Sequence, residues 1–191
     1  MKVFIPYDMV IRAHRVKYRY LAIPFLVIIL NFILSLVRET LYVPYVSMIA
    51  FVIFMFIMYI FRFKRTFSEV EGEVVIAPMN GKIVDIRAFP EGNVITIIKS
   101  LWASSEFTTC TKSDIQISHH YVLELDVSKV SWKVDSAIKH IFIDETVDVQ
   151  AALIGLVPWN AVCEVFLPEK YKLKIEKGNA VVAGETVIGN H

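Results

Sequence analysis

Charge of either sign is sparse and nearly balanced: 20 Lys and Arg stand against 19 Asp and Glu in 191 residues, a net charge of +1. Such a chain has no electrostatic case for nucleic acid, because its excess cations are not gathered on one face of a domain. Cysteine is scarcer still. Cys110 and Cys163 stand alone and far apart, too few for a zinc site, so no metal is expected, and a reducing compartment leaves them as thiols. Past residue 66 no segment keeps a 3.6-residue hydrophobic period through three turns, which argues against a helical domain there, although residues 144–154 could hold a short helix. Heptads are missing as well, and with them any coiled coil.

Apolar residues make up 55% of the chain and the mean hydropathy is +0.54, and the excess sits before Phe61. Residues 21–37 form one uncharged run and 41–61 a second, separated by Arg38, Glu39 and Thr40. Each approaches the roughly 20 residues that cross about 30 Å of hydrocarbon as a helix. So short a connection makes them an antiparallel transmembrane hairpin over 21–61. A cleaved signal peptide would show small residues after a single short apolar stretch, whereas here a second span follows at once. Pro24 and Pro44 lie near the starts of their runs, where a missing N–H costs least. Asn31, the strongly polar residue of the first span, is expected to bond the neighbouring helix.

The flanks set an orientation. Lys2, Arg12, Arg15, Lys17 and Arg19 fall in a basic segment over 1–20, Arg62, Lys64 and Arg65 open a basic linker over 62–70, and the turn has Arg38 alone. Positive charge resists translocation, so both termini and whatever follows the hairpin are expected on the cytoplasmic face of a cell membrane. Arg15, Lys17, Arg19, Arg62, Lys64 and Arg65 then lie at the membrane surface, where anionic head groups are worth about 1 kcal/mol per cation.

Residues 71–191 read as a compact β domain, large enough for one core. Short runs rich in β-branched residues occur at 74–76, 82–86, 94–99, 121–125, 139–143, 162–167 and 172–175. Turn signals separate them, among them Asn80-Gly81, Gly178-Asn179 and Gly184. Two motifs stand out: Ala77-Pro78-Met79-Asn80-Gly81-Lys82-Ile83-Val84, a strand that turns sharply into another, and the segment Lys177-Gly178-Asn179 through Gly184-Glu185-Thr186-Val187-Ile188, where two glycines frame a short strand. Both read as hairpins with glycine at positive φ.

In order along the chain, these pieces resemble the phosphatidylserine decarboxylase family, in particular its short bacterial and archaeal members. Those proteins begin with a hydrophobic hairpin, pass a Phe-Arg-x-x-Arg juncture and reach Ser-Pro-Ala-Asp-Gly before a strand. Phe61-Arg62-Phe63-Lys64-Arg65 matches the juncture, and Ala77-Pro78-Met79-Asn80-Gly81 falls where the second motif belongs. Near the end, Asn160-Ala161-Val162-Cys163-Glu164-Val165-Phe166-Leu167-Pro168 resembles the family's Gly-Ser-Arg-Val-Asp-Val-Phe-Leu-Pro, and Ala183-Gly184-Glu185-Thr186-Val187-Ile188-Gly189 its glycine-framed tail. The middle, residues 102–157, departs from the pattern. The resemblance implies a membrane-anchored, mostly β protein, an N-terminal two-helix transmembrane hairpin followed by a decarboxylase-like domain with barrel-sandwich-like hairpins.

It also implies a chemistry: an internal serine attacks the preceding glycine carbonyl, the chain is cut, and the new pyruvoyl end forms a Schiff base with the substrate amine. Carried over residue by residue, the serine falls on Ala161 and the glycine on Asn160, the histidine base on Gln116 and the supporting aspartate on Asn80. None of these can act as nucleophile or base near neutral pH. No catalytic residue and no pyruvoyl cofactor are therefore expected. Asn80, Gln116, Asn160 and His119 are left as candidates for head-group binding. The partners implied are a phospholipid membrane and an active decarboxylase homologue or a second copy of the chain.

Two other readings compete. An active aminophospholipid decarboxylase, a carboxy-lyase, would need another nucleophile, such as Cys163 two positions past Ala161, or an imidazole from the His119-His120 pair. A membrane-fusion-type transport adaptor shares the Ala-Pro-x-x-Gly hairpin, but places its β domain outside the cytoplasm and carries a coiled coil. A lipoyl or biotinyl carrier needs a lysine at a hairpin tip in a Met-Lys or Asp-Lys-Ala setting, which neither hairpin supplies. The expected topology is checked by proteolysis of oriented vesicles: the domain should be digested in inside-out vesicles and protected in right-side-out ones, and the reverse result contradicts the charge argument.

Overall fold

The computed structural model describes residues 3–4, 7–37, 42–63, 67–68, 74–111, 130–142 and 150–191. Two helices come first, α1 over Tyr7–Val37 and α2 over Val43–Ile60. They lie antiparallel, with ring centroids 6.5 Å apart for Phe25 and Phe54 and 4.9 Å for Tyr20 and Phe61. Their apolar windows are only 11% buried. Ile23, Leu26, Phe32, Leu36, Met48, Phe51 and Val52 all stand exposed. In water each square ångström left bare would forgo about 25 cal/mol, and the core helix of a soluble protein covers such a surface. The pair has the length, composition and exposure of a two-helix membrane anchor.

The helices differ from expectation in two ways. α1 starts at Tyr7, well before the apolar run, so Pro24 lies inside the helix rather than near its start. There it removes the N–H that would bond the Tyr20 carbonyl. Pro44, in contrast, sits in the first turn of α2, where the donor is not needed. The charged segment is helical because one of its faces is apolar: Val10, Ala13 and Val16 pack with Ile60, Phe61, Leu153 and Leu156. Asp8 in the first turn suits the helix dipole. The second difference concerns Asn31, which is buried, but whose Nδ2 has no hydrogen-bond partner among the described residues. The Nδ2 therefore makes no interhelical bond among the described residues.

Strands β1 (Val3–Phe4) and β2 (Phe67–Ser68) pair antiparallel, Val3 opposite Ser68, and tie together the segments that enter and leave the hairpin. The domain itself is built from β3 (Val74–Ile76), β4 (Gly81–Phe89), β5 (Gly92–Lys99), β6 (Glu106–Thr108), β7 (Ser131–Ser136), β8 (His140–Ile141), β9 (Leu153–Leu156), β10 (Ala161–Pro168), β11 (Lys172–Leu173), β12 (Ala180–Val181) and β13 (Val187–Asn190). They form a five-stranded sheet in the order β12-β4-β5-β10-β7 and two three-stranded sheets, β11-β13-β3 and β6-β9-β8. All the pairings are antiparallel. Among the described residues no sheet closes into a barrel. Alternate residues of β5 and β10, namely Ile95, Ile97, Cys163, Val165 and Leu167, point into a core completed by Ile83, Met79, Phe107, Ile154 and Ile188.

The runs at 74–76, 82–86, 94–99 and 162–167 are strands, and those at 172–175 and 139–143 shrink to β11 and β8. The run at 121–125 lies outside the described residues, as do 143 and 144–149. The helix expected over 144–154 is corrected at its end, where Leu153–Leu156 is β9. Its continuous apolar run, which reads equally as helix or strand, is a strand covered on both faces: Leu153 and Leu156 join the cluster under α1, and Ile154 joins the main core. Strands β6, β7 and β13 have no counterpart among the runs read from sequence, whereas β12 is the short strand expected between Gly178 and Gly184. Gly178 (φ 96°) and Gly184 (φ 69°) take the left-handed conformation expected of them. Gly81 does not. It is required for another reason, since a Cβ there would run into the Ile98 carbonyl oxygen.

Phe61, 1% exposed, closes the junction between hairpin and domain. Replacing it by Ala should cost about 3–5 kcal/mol in denaturant unfolding of the detergent-solubilised chain, against less than about 0.5 kcal/mol for Phe89→Ala on the surface. Equal effects would mean that the junction is not packed as described.

Candidate functional site

The two motifs singled out in the sequence meet in space. The Ala77 N–H donates to the Thr186 carbonyl at 2.9 Å, and the Gly184 N–H to the Ala77 carbonyl at 3.0 Å, while Val181 pairs with Gly81. Asn80 stands at this seam and uses both ends of its amide. Its Oδ1 accepts from the Ala183 N–H at 3.1 Å, and its Nδ2 donates to the Ser104 Oγ at 3.1 Å and to the Ser104 carbonyl at 3.4 Å. An aspartate could take only the first of these bonds, having no donor when ionised.

Ser104 passes the network on by donating to Glu106 Oε1 at 2.9 Å. Glu106 is fully buried, and its Oε2 has no hydrogen-bond partner among the described residues. Beside it lies a second buried charge. Lys99 is 0% exposed, and its Nζ donates to the carbonyls of Ser100 (3.2 Å) and Ala103 (3.0 Å), so the loop 100–105 wraps the ammonium. Burial pulls the Lys99 amine down to about 8; the Glu106 carboxylate works against this, and Arg62 adds to it.

Lys99 is directly opposite Ala161 in the β5–β10 ladder. Asn80 and Ala161 are thus the two ends of one line of residues, Asn80, Ser104, Glu106, Lys99 and Ala161. Asn160 stands outside this line. It is exposed, and its carbonyl accepts from Ser136 Oγ at 3.0 Å. Gln116, His119, His120, Lys64 and Arg65 lie outside the described residues.

The same loop fastens the cluster to the hairpin. The Ser105 N–H and Oγ both donate to the Arg62 carbonyl, at 2.8 and 2.9 Å. The Arg62 guanidinium lies 4.2 Å from the centroid of the Tyr59 ring and donates to the Trp102 carbonyl, and the Tyr59 and Trp102 rings meet edge to face at 5.9 Å. The polar cluster therefore sits at the end of the domain nearest the helices, with Trp102 exposed beside it.

Chemically the arrangement offers an amine, a carboxylate, a hydroxyl and an amide. Ala161 supplies no attacking atom. Cys163 shares its inward face but is fully buried, and burial, with Cys110 and Glu164 nearby, pushes its thiol well above the ordinary range; Cys110 is pushed up to about 12 by burial. Both stay protonated and unreactive near neutral pH. No group of three His, Cys, Asp or Glu placed to hold a metal occurs among the described residues. Lys99, Ser104 and Glu106 were missed in the sequence, and one signal could have found the first: Ile95, Ile97 and Lys99 alternate on one strand face, so a charge stands at a core position.

Comparison of the chain with protein-family models, with curated proteins and with solved structures finds no match.

The buried amine has a measurable consequence. The folded chain gives up the Lys99 proton near pH 8, whereas the unfolded chain keeps it to about pH 10.4, so in that window the unfolded state binds more protons and stability rises with pH. Denaturant midpoints should climb from pH 8 to 10 in the wild type and lose that Lys99-dependent climb in Lys99→Met. Parallel pH profiles for the two proteins would contradict the burial of a charged amine.

Proposed function

We propose that this protein is a membrane-anchored relative of the phosphatidylserine decarboxylases that does not process itself, and that its β domain recognises a phospholipid head group at the cytoplasmic face. The observation that carries the reading is the use made of Asn80. Where the family's pattern has a carboxylate, this chain has an amide whose donor and acceptor ends are both bonded, and where the pattern has the serine it has Ala161, facing Lys99. Neither side chain can attack a carbonyl or transfer a proton near neutral pH. The eight basic residues flanking the hairpin, against Arg38 in its turn, support the cytoplasmic placement of the domain and both termini. The barrel-sandwich-like form of the domain and an active decarboxylase homologue, or a second copy, as partner belong to the same proposal.

Two measurements test it. Purified chain should be a single polypeptide of 21.9 kDa, unreactive toward carbonyl reagents; two fragments would restore the decarboxylase reading. Soluble short-chain phosphatidylserine, titrated into the protein held in phosphatidylcholine nanodiscs, should bind more tightly than the phosphatidylcholine analogue. That preference should fall about tenfold in Asn80→Leu, because Asn80 holds Ser104 and the loop beside Lys99 in place. Equal binding of both lipids by both proteins would reject a head-group site in the cluster.

A further inference from the structure

The side of α1 opposite Ala13 and Val16 carries an open groove of about 530 Å³, lined by Ile11, His14, Arg15, Tyr18, Arg19 and Ala22, with the His14 ring at its edge against Phe63. We propose that this groove is a binding site for an anionic phospholipid, with the phosphate held between Arg15 and Arg19. It is separate from the cluster around Asn80 and does not rest on the reading given above for that cluster.

The helix geometry makes the case. Residues 11, 15, 18 and 22 recur at helical spacing and share one side of α1, and Arg15 and Arg19 are one turn apart, about 5–6 Å between Cβ atoms. Val10, Ala13 and Val16, which pack under the domain, occupy the other side. Two guanidiniums at that separation can both reach the oxygens of one phosphate, and each presents a planar fork that fits it. The helix over Tyr7 to Tyr20 carries four cations, Arg12, Arg15, Lys17 and Arg19, against the single carboxylate of Asp8. None of the six groove residues is acidic.

The position along the helix selects a lipid over a free anion. Ala22 ends the groove at the beginning of the apolar run, and Phe25, Leu26 and Ile29 continue from it as exposed apolar side chains. A phosphate at Arg15 and Arg19 thus leaves glycerol beside the small Ala22 and acyl chains along Phe25, Leu26 and Ile29. Tyr18, 62% exposed, has the amphipathic form found where one end is apolar and the other wet.

The test uses the full chain in nanodiscs of phosphatidylcholine doped with phosphatidylglycerol, which has no amine, and counts retained phosphatidylglycerol by native mass spectrometry. Arg15→Gln and Arg19→Gln should each lower retention about tenfold, the loss of one charge-assisted contact. Lys17→Gln removes the same charge from the opposite face and should change it less than twofold. Asn80→Leu should leave retention unaltered, which keeps this site distinguishable from the head-group cluster. Equal losses in all three charge variants would reduce the site to diffuse surface charge and overturn the proposal. So would displacement of the lipid by millimolar inorganic phosphate, which would make the groove a site for the free anion, or retention of phosphatidylcholine equal to that of phosphatidylglycerol.

Discussion

Burial of Ala13 and Phe61 between α1, the end of α2 and β9 is the contact on which the rest of the arrangement depends. Ala13 is 0% exposed and Phe61 1%, and Val10, Ile60, Leu153 and Leu156 complete the cluster. Without it, the charged first half of α1 would have no apolar partner, and a short helix of that composition is marginal alone in water. With it, the helix carries its register from the apolar run straight onto the domain. The β1–β2 pair joins the segments that enter and leave the hairpin, and the Tyr20 hydroxyl lies 3.1 Å from His140 Nε2 across the junction. Burial lowers the His140 pKa, so the imidazole is neutral near pH 7 and can receive or donate that bond without carrying charge into the junction.

The polar cluster follows from the same docking. Arg62 leaves α2 already committed, its carbonyl taken by Ser105 and its guanidinium by Tyr59 and Trp102. That fixes the loop 100–105, and the loop in turn supplies the carbonyls that hold Lys99. Two buried charges of opposite sign, each with hydrogen bonds of its own, are costly to assemble, and a protein that keeps them next to its apolar hairpin has a polar site in which one carboxylate oxygen is unmatched among the described residues. The amide of Asn80 fits this setting better than a carboxylate would, since a second anion could bond Ser104 only by taking the hydroxyl proton that Ser104 gives to Glu106.

Much of the outline was legible from the sequence, and the parts that were not share a cause. The two apolar runs, the strands at 74–76, 82–86, 94–99 and 162–167, and the turns at Gly178 and Gly184 each carry a local signal in side-chain period or backbone chemistry. The early start of α1 has no such signal, because the apolar face of residues 10–16 is three residues wide and owes its helix to Leu153 and Leu156, far away in sequence. β9 was misread for the converse reason: a strand covered on both faces has no alternation. Of the site, Asn80 and Ala161 could be placed by motif, but Ser104 and Glu106 become functional candidates only once β5, β6 and the loop between them are folded together. Asn160, adjacent to Ala161 in sequence, precedes the first residue of β10 and is exposed.

The central claim is that the hairpin and the β domain form one unit through the first half of α1. Amide hydrogen exchange of the full chain in nanodiscs addresses it directly. If the claim holds, the amides of residues 11–20 exchange as slowly as those of β9 and are released together with them when denaturant is added. Fast exchange of residues 11–20 beside a fully protected β9 would contradict it, and would leave α1 as a membrane span with a free basic tail.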